Sequence, residues 1–150
     1  MKLALRINGE AVECEAPAQT LLLDLLRERG LTGSKEGCDV GVCGACTVLV
    51  DGDPVSSCLF MAACADGREV WTAEGLARSE PGLAAAFVER EAMQCGICTP
   101  GQFVSACALL RHQPAPSEGE VREFMSGNLC RCTGYATIVE AILAAARGRV

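Results

Sequence analysis

Gly37-Cys38-Asp39-Val40-Gly41-Val42-Cys43-Gly44-Ala45-Cys46 is the stretch that decides how this chain is read. Three of its cysteines stand in a C-x4-C-x2-C spacing, and Cys58 follows beyond an Asp51-Gly52 turn. Plant-type iron–sulfur ligand sets have the same spacing, C-x4-C-x2-C…C. The chemistry explains the pattern. A binuclear cluster needs four converging thiolates, and its sulfides want backbone N–H donors close by. A loop wrapped that tightly needs residues free to take unusual φ/ψ, which Gly37, Gly41 and Gly44 supply. A tetrahedral zinc site also takes four thiolates and stays open as the alternative. Zinc knuckles, however, favour paired C-x2-C units over a glycine-wrapped C-x4-C-x2-C.

Composition narrows the setting. The chain has 150 residues, 11 of them cysteine, and a formal net charge of −6. That cysteine content sits just below the ~8–10% of a short disulfide scaffold. The odd number, with no signal-peptide core in Met1–Ile7, makes a disulfide framework a poor fit and argues against export. The acidic balance argues against nucleic acid or an anionic membrane as partner. No apolar run approaches the ~20 residues of a membrane span. Half of the residues are hydrophobic, enough to build a core.

The first half reads as strands and turns. Leu3, Leu5 and Ile7 alternate with their neighbours, Asn8-Gly9 suits a two-residue hairpin, and Val12 lies on the return strand. Thr20 is expected to cap a helix with Leu21, Leu22, Leu25 and Leu26 on one face, stopped by Gly30. Thr47–Val50 and Pro54–Ser57 flank the second turn, and Arg68–Thr72 reads as a last strand. From about Ser79 helical periodicity takes over. Four helices are expected. Pro81–Ala92 turns Leu83, Phe87 and Val88 inward. A second, capped by Thr99-Pro100, carries Phe103, Cys107 and Leu110, and is broken by Pro114 and Pro116. Ser117-x-x-Glu120 is a capping box opening a third, with Val121, Phe124 and Met125. Thr133 caps a fourth carrying Ile138, Val139, Ile142 and Leu143. The expected fold is α+β, a small mixed sheet with one helix followed by a four-helix bundle, with the boundary within residues 73–80.

A second cysteine set, Cys95-x2-Cys98 and Cys130-x-Cys132, falls between the first and second and between the third and fourth of these helices. Antiparallel packing brings both loops to one end of the bundle. Taken alone, this set fits zinc as well as iron.

Taken together, three motifs resemble one family. They are Gly37-Cys38 through Cys46-Thr47-Val48, Gln94-Cys95-Gly96-x-Cys98-Thr99-Pro100-Gly101, and Gly127-Asn128-x-Cys130-Arg131-Cys132-Thr133-Gly134-Tyr135. The family is the two-cluster [2Fe–2S] subunit of the molybdenum hydroxylases, the xanthine dehydrogenase/aldehyde oxidoreductase group, and the similarity runs nearly end to end. It implies a β-grasp, ferredoxin-like domain over residues 1–76 and a [2Fe–2S]-binding four-helix bundle over 77–150. It implies Cys38, Cys43, Cys46 and Cys58 as ligands of one cluster, and Cys95, Cys98, Cys130 and Cys132 as ligands of the other. Gln94 then corresponds to a residue that hydrogen-bonds the pterin, and Cys132 to a ligand that also touches the pterin edge. No residue of this chain is implied in substrate chemistry. The implied setting is cytoplasmic, with molybdopterin, in its cytosine dinucleotide form, on a large catalytic subunit. FAD is implied on a medium subunit, and the wider assembly is a dimer of heterotrimers. Single electrons would pass from molybdenum through both clusters to the flavin or another acceptor.

Two other readings remain at this level: a free-standing two-cluster ferredoxin and a zinc-held adaptor. Gln94 and Gly134-Tyr135 have no evident role in a soluble carrier. Cys14, Cys64 and Cys107 are left over and read as buried small hydrophobes. His112, the only histidine, suits a helix C-terminus, and one histidine is too few for a Rieske centre. Trp71 and Tyr135 read as packing aromatics rather than electron relays. Lys35, Glu36 and Arg131 flank the cysteine sets, where hydrogen-bond donors would raise a potential.

Overall fold

Alternation places Leu3, Leu5 and Ile7 of β1 (Lys2–Ile7) on one buried face. Asn8 and Gly9 take φ of 53° and 86°, the left-handed pair of a hairpin turn that returns the chain into β2 (Glu10–Glu15). Asp51 and Gly52 repeat the device, at 52° and 94°, between β3 (Thr47–Val50) and β4 (Asp53–Ser56). β5 (Glu69–Trp71) lies parallel to β1 and antiparallel to β3, so the sheet order is β2-β1-β5-β3-β4. The computed structural model describes residues 1–148. Helix α1 (Leu22–Glu28) covers one face of the sheet, packing Leu22, Leu25 and Leu26 on Leu3, Leu5, Ile7, Val48, Val50 and Val70. Thr20 does not cap it. The preceding backbone is committed elsewhere: Leu21 bridges Met61, and the Thr20 carbonyl accepts the Ala62 N–H at 2.8 Å.

All four residues of β3 are buried, because α4 (Thr99–His112) covers the sheet face opposite α1. Every residue of α4 from Gly101 to Leu110 is buried, so it has no solvent stripe there. Around it stand α3 (Pro81–Glu89), α5 (Glu118–Phe124) and α6 (Ala136–Arg147), with Phe87 edge-on to Phe103 at 5.7 Å.

Several details differ from expectation. A further helix, α2 (Ala73–Ser79), precedes the four; its interior Gly75 hides it from a propensity reading. A Cβ at that position would collide with the Asn8 side chain, which itself receives the Thr72 N–H at 2.9 Å. Helix α3 ends at Glu89, short of Ala92, and Val88 is 67% exposed. Leu83, Ala86 and Phe87 complete its inward stripe at i, i+3, i+4 spacing, leaving Val88 outside. Phe124 is half-exposed, and Met125 belongs to a 3₁₀ turn after α5. Ser117 and Glu120 do form the reciprocal capping box. Thr99 lies inside α4 with its hydroxyl unpaired, and α6 is preceded by Tyr135 at φ 72°, so neither threonine caps.

Candidate metal centres

The first cysteine set occupies the loop between α1 and β3. Gly41 and Gly44 take φ of 70° and 71°, and a Cβ on Gly37 would stand 3.0 Å from Cys43 Sγ, so the chain folds close around the thiols. Val42 N–H and Cys43 N–H both donate to Cys38 Sγ at 3.4 Å, and Ala45 N–H donates to Cys43 Sγ at 3.5 Å. Donation from Val40, Cys43 and Val42 amides pulls the Cys38 thiol down to about 6. Cys46 and Cys58 are buried beside Leu23. Ser57 Oγ donates to the Cys46 carbonyl at 2.6 Å and Leu23 N–H to the Ser57 carbonyl at 3.1 Å, tying both cysteines to α1. Burial, then the Cys46 thiol, pushes Cys58 up to about 11.

The second set gathers at one end of the helices, from the turn before α4 and the loop before α6. Cys132 Sγ lies 3.5 Å from Cys95 Sγ, and Cys98 is hydrogen-bonded to Cys130. Burial raises Cys98 to about 12. Burial also works against ionising Cys130, yet hydrogen bonds led by those from the Thr133 hydroxyl (3.1 Å) and N–H (3.4 Å) bring that thiol down to about 7. Thr133 therefore serves the sulfur rather than a helix end. Tyr135 does more than pack: its phenol oxygen accepts the Cys130 N–H at 3.0 Å. Its short separation from Cys130, across a turn with Gly134 at φ 67°, was the available signal for that role.

In each set the thiols sort into two touching pairs: Cys38 with Cys43 and Cys46 with Cys58, then Cys95 with Cys132 and Cys98 with Cys130. A binuclear cluster takes two protein ligands per iron, whereas one zinc draws all four sulfurs to a single point at about 2.3 Å. Among the described residues no three Cys, His, Asp or Glu side chains close on one ion. Paired thiols, N–H donors aimed at sulfur and a glycine cradle fit a [2Fe–2S] group at both places.

The two sets are neighbours. A cleft of about 550 Å³ is lined by Cys95, Cys98, Cys130 and Cys132, and also by Cys43 of the first set. Gln94 lies exposed next to Cys95. Of the remaining cysteines, Cys107 is fully buried in α4, Cys14 is half-buried on β2, and Cys64 is exposed. Cys64 escapes burial because its 3₁₀ turn points Ala62 and Ala65 inward, three residues apart. His112 Nε2 reaches across to Asp53 Oδ1 at 3.8 Å, both groups solvated. Trp71 packs against the helical core.

Comparison with known proteins agrees. Residues 5–77 match the model of a 2Fe-2S iron-sulfur cluster binding domain, and residues 72–143 that of a [2Fe-2S] binding domain. The chain is 48% identical to the nicotine 6-hydroxylase small subunit of Paenarthrobacter nicotinovorans, over 95% of this chain and 88% of that one. It is 46% identical to the xanthine dehydrogenase iron-sulfur-binding subunit of Escherichia coli O157:H7, over 91% and 89%. Among solved structures, quinoline 2-oxidoreductase from Pseudomonas putida 86 superposes with a TM-score of 0.93 at 48% identity, covering 99% of this chain and 94% of that one. Aldehyde oxidoreductase from Desulfovibrio gigas gives a TM-score of 0.93 at 38% identity; this chain corresponds to 18% of that longer one. With both domain models matched in order and such relatives along nearly its whole length, the chain belongs to the family of [2Fe–2S] electron-transfer subunits of the molybdenum hydroxylases.

Proposed function

We propose that this subunit takes single electrons from a molybdopterin site on a large catalytic subunit and hands them to FAD on a medium subunit. The observation that carries the reading is the pair of four-thiol sites, each sorted into two thiol pairs, with Cys43 of the first lining the cleft of the second. Cys38, Cys43, Cys46 and Cys58 would hold one cluster within residues 1–76, and Cys95, Cys98, Cys130 and Cys132 the other within 77–150. A bound [2Fe–2S] cluster supplies a one-electron centre whose potential follows its hydrogen bonds and exposure. The protein's own part is to hold thiolates and to aim N–H donors. Val42, Cys43, Ala45 and Thr133 supply those donors, which stabilise negative charge on sulfur.

Exposure suits two separate docking faces. Gln94, Cys95 and Cys132 are all exposed, which suits a face turned to the large subunit, with Gln94 bonding the pterin and Cys132 at its edge. Exposed Val40, Val42, Leu59 and Met61 surround the first site and suit the flavin subunit. The cytosine dinucleotide form of the pterin, a dimer of heterotrimers and a cytoplasmic setting belong to the same reading. No described helix is long and apolar enough to cross a membrane.

The test is Cys43→Ser in the purified complex. Of two distinct paramagnetic signals in the reduced protein, one is expected to vanish or change and the other to persist. Loss of both overturns the assignment by domain. Gln94→Ala is expected to weaken association with the large subunit or to slow reduction of the nearer cluster; wild-type behaviour in both rejects its pterin contact.

A further inference from the structure

The first cysteine loop is closed by contacts made just ahead of it, and one of these comes from the start of the helical half. Lys35 N–H donates to the Ala45 carbonyl at 3.0 Å, joining the entrance of the loop to its exit across Cys38 and Cys43. The entrance is anchored at Gly33, whose N–H donates to Glu74 Oε1 at 2.7 Å. Arg27 Nη1 holds the next residue, the buried Ser34, by its carbonyl at 2.8 Å, and Lys35 Nζ turns back to the Thr32 carbonyl at 2.7 Å. Glycine suits position 33 because a Cβ there would stand 2.8 Å from Glu74 Oε1. Helix α2 carries Glu74 and is itself pinned to the first hairpin. The Asn8 side chain accepts the Thr72 N–H at 2.9 Å and donates to Thr72 Oγ1 at 3.0 Å.

We propose that Glu74 is a positioning residue for the first cluster, holding the Gly33 N–H and so fixing the loop whose amides point at the Cys38 and Cys43 sulfurs. It acts through the backbone. From Gly33 the chain runs through Ser34 to Lys35, whose N–H holds the Ala45 carbonyl, and the Ala45 N–H donates to Cys43 Sγ at 3.5 Å. Such donors stabilise negative charge on sulfur, so slackening them lowers the cluster's potential. The carboxylate's own charge works in the opposite sense, because removing a nearby negative charge eases reduction. The two effects differ in sign and are therefore separable. Placing the anchor on α2 makes the first site depend on the helix that opens the second half of the chain.

The proposal rests on the ligand assignment above. The unmodified complex, reduced with dithionite, tests that assignment by showing two [2Fe–2S] signals, of which Cys43→Ser alters one; their absence overturns assignment and proposal together. The proposal itself is tested in the intact complex with Glu74→Ala, Glu74→Gln and Gly33→Ala, by the line shape and midpoint potential of each signal. Gly33→Ala keeps the carboxylate but pushes it off the amide, since the added methyl stands where Glu74 must yield. Both alanine variants are expected to change the first cluster's line shape and shift its potential down, with the second cluster's signal unchanged. Glu74→Gln keeps an oxygen for the Gly33 N–H and is expected to keep the wild-type line shape. A first-cluster signal unchanged in both alanine variants overturns the proposal. So does an equal upward shift in Glu74→Ala and Glu74→Gln, which would make Glu74 a charge and not an anchor. Loss of both signals in both alanine variants overturns it as well, since the contact would then hold the fold rather than the first cluster.

Discussion

Single side chains here act mainly on sulfur and on backbone ends, and their effects are separable. Glu120 accepts from the Ser117 hydroxyl and N–H, which hold its carboxyl down to about 2. Its folded value lies below the ~4.3 of an unfolded chain, so its contribution is present above that pH and is lost as pH falls from about 4.3 towards 2. Glu120→Gln is expected to leave a shallower fall in urea midpoint as the pH drops from about 5 to about 3. The cap itself was readable from Ser117-x-x-Glu120, because all its partners lie within one turn. Thr20, Thr99 and Thr133 carry the same hydroxyl in similar positions and do not cap. What separates them is the company of distant residues: Met61 beside Leu21, and the Cys130 thiol beside Thr133. Cys64 is exposed rather than buried for a related reason, since its exposure depends on which way one 3₁₀ turn faces.

At the scale of elements, caps and crossings set the energetics. Ser117→Ala removes the hydroxyl that accepts the Glu120 N–H and is expected to destabilise by about 1 kcal/mol, read from chemical denaturation. The crossing of α4 over the first cysteine loop is less forgiving. Gly101→Ala is expected to cost roughly 1–3 kcal/mol and to lower the Tm, because the added methyl meets the Gly44 backbone rather than a flexible side chain. Helix α4 was recognised by its apolar residues, but its burial on all sides was not, since a stripe of Phe103, Cys107 and Leu110 describes only one face. The second face is covered by β3, which the chain reaches from far away in sequence. Helix α2 is not legible in the sequence because Gly75 lowers its propensity; only the Asn8 side chain packed against it explains why glycine stands there.

At the scale of the whole molecule, two predictions follow from having two sites on one chain. Metal analysis is expected to give about four irons and four labile sulfides per chain, with zinc absent; a colourless, zinc-loaded protein rejects the reading. Ile97, more than half exposed beside the second site, sits where the large subunit is expected to dock. Ile97→Asp should weaken that association by about 1–2 kcal/mol in a binding measurement, with both cluster signals intact.

The sequence by itself determined the two thiol sets, the hairpins at Asn8-Gly9 and Asp51-Gly52, the sheet-bearing half before the helical half, and the capping box. Each of these depends on residue spacing along the chain or on φ > 0 at one or two positions, so no distant partner is needed to read it. Only the tertiary structure decided which thiols touch in pairs, that Cys43 shares a cleft with the second set, that Tyr135 and Thr133 serve Cys130, and that Asn128 stands between the loops. Those facts come from packing α4 between the sheet and the other helices, which brings Gly44 and Asn128, remote in sequence, within one hydrogen bond of each other.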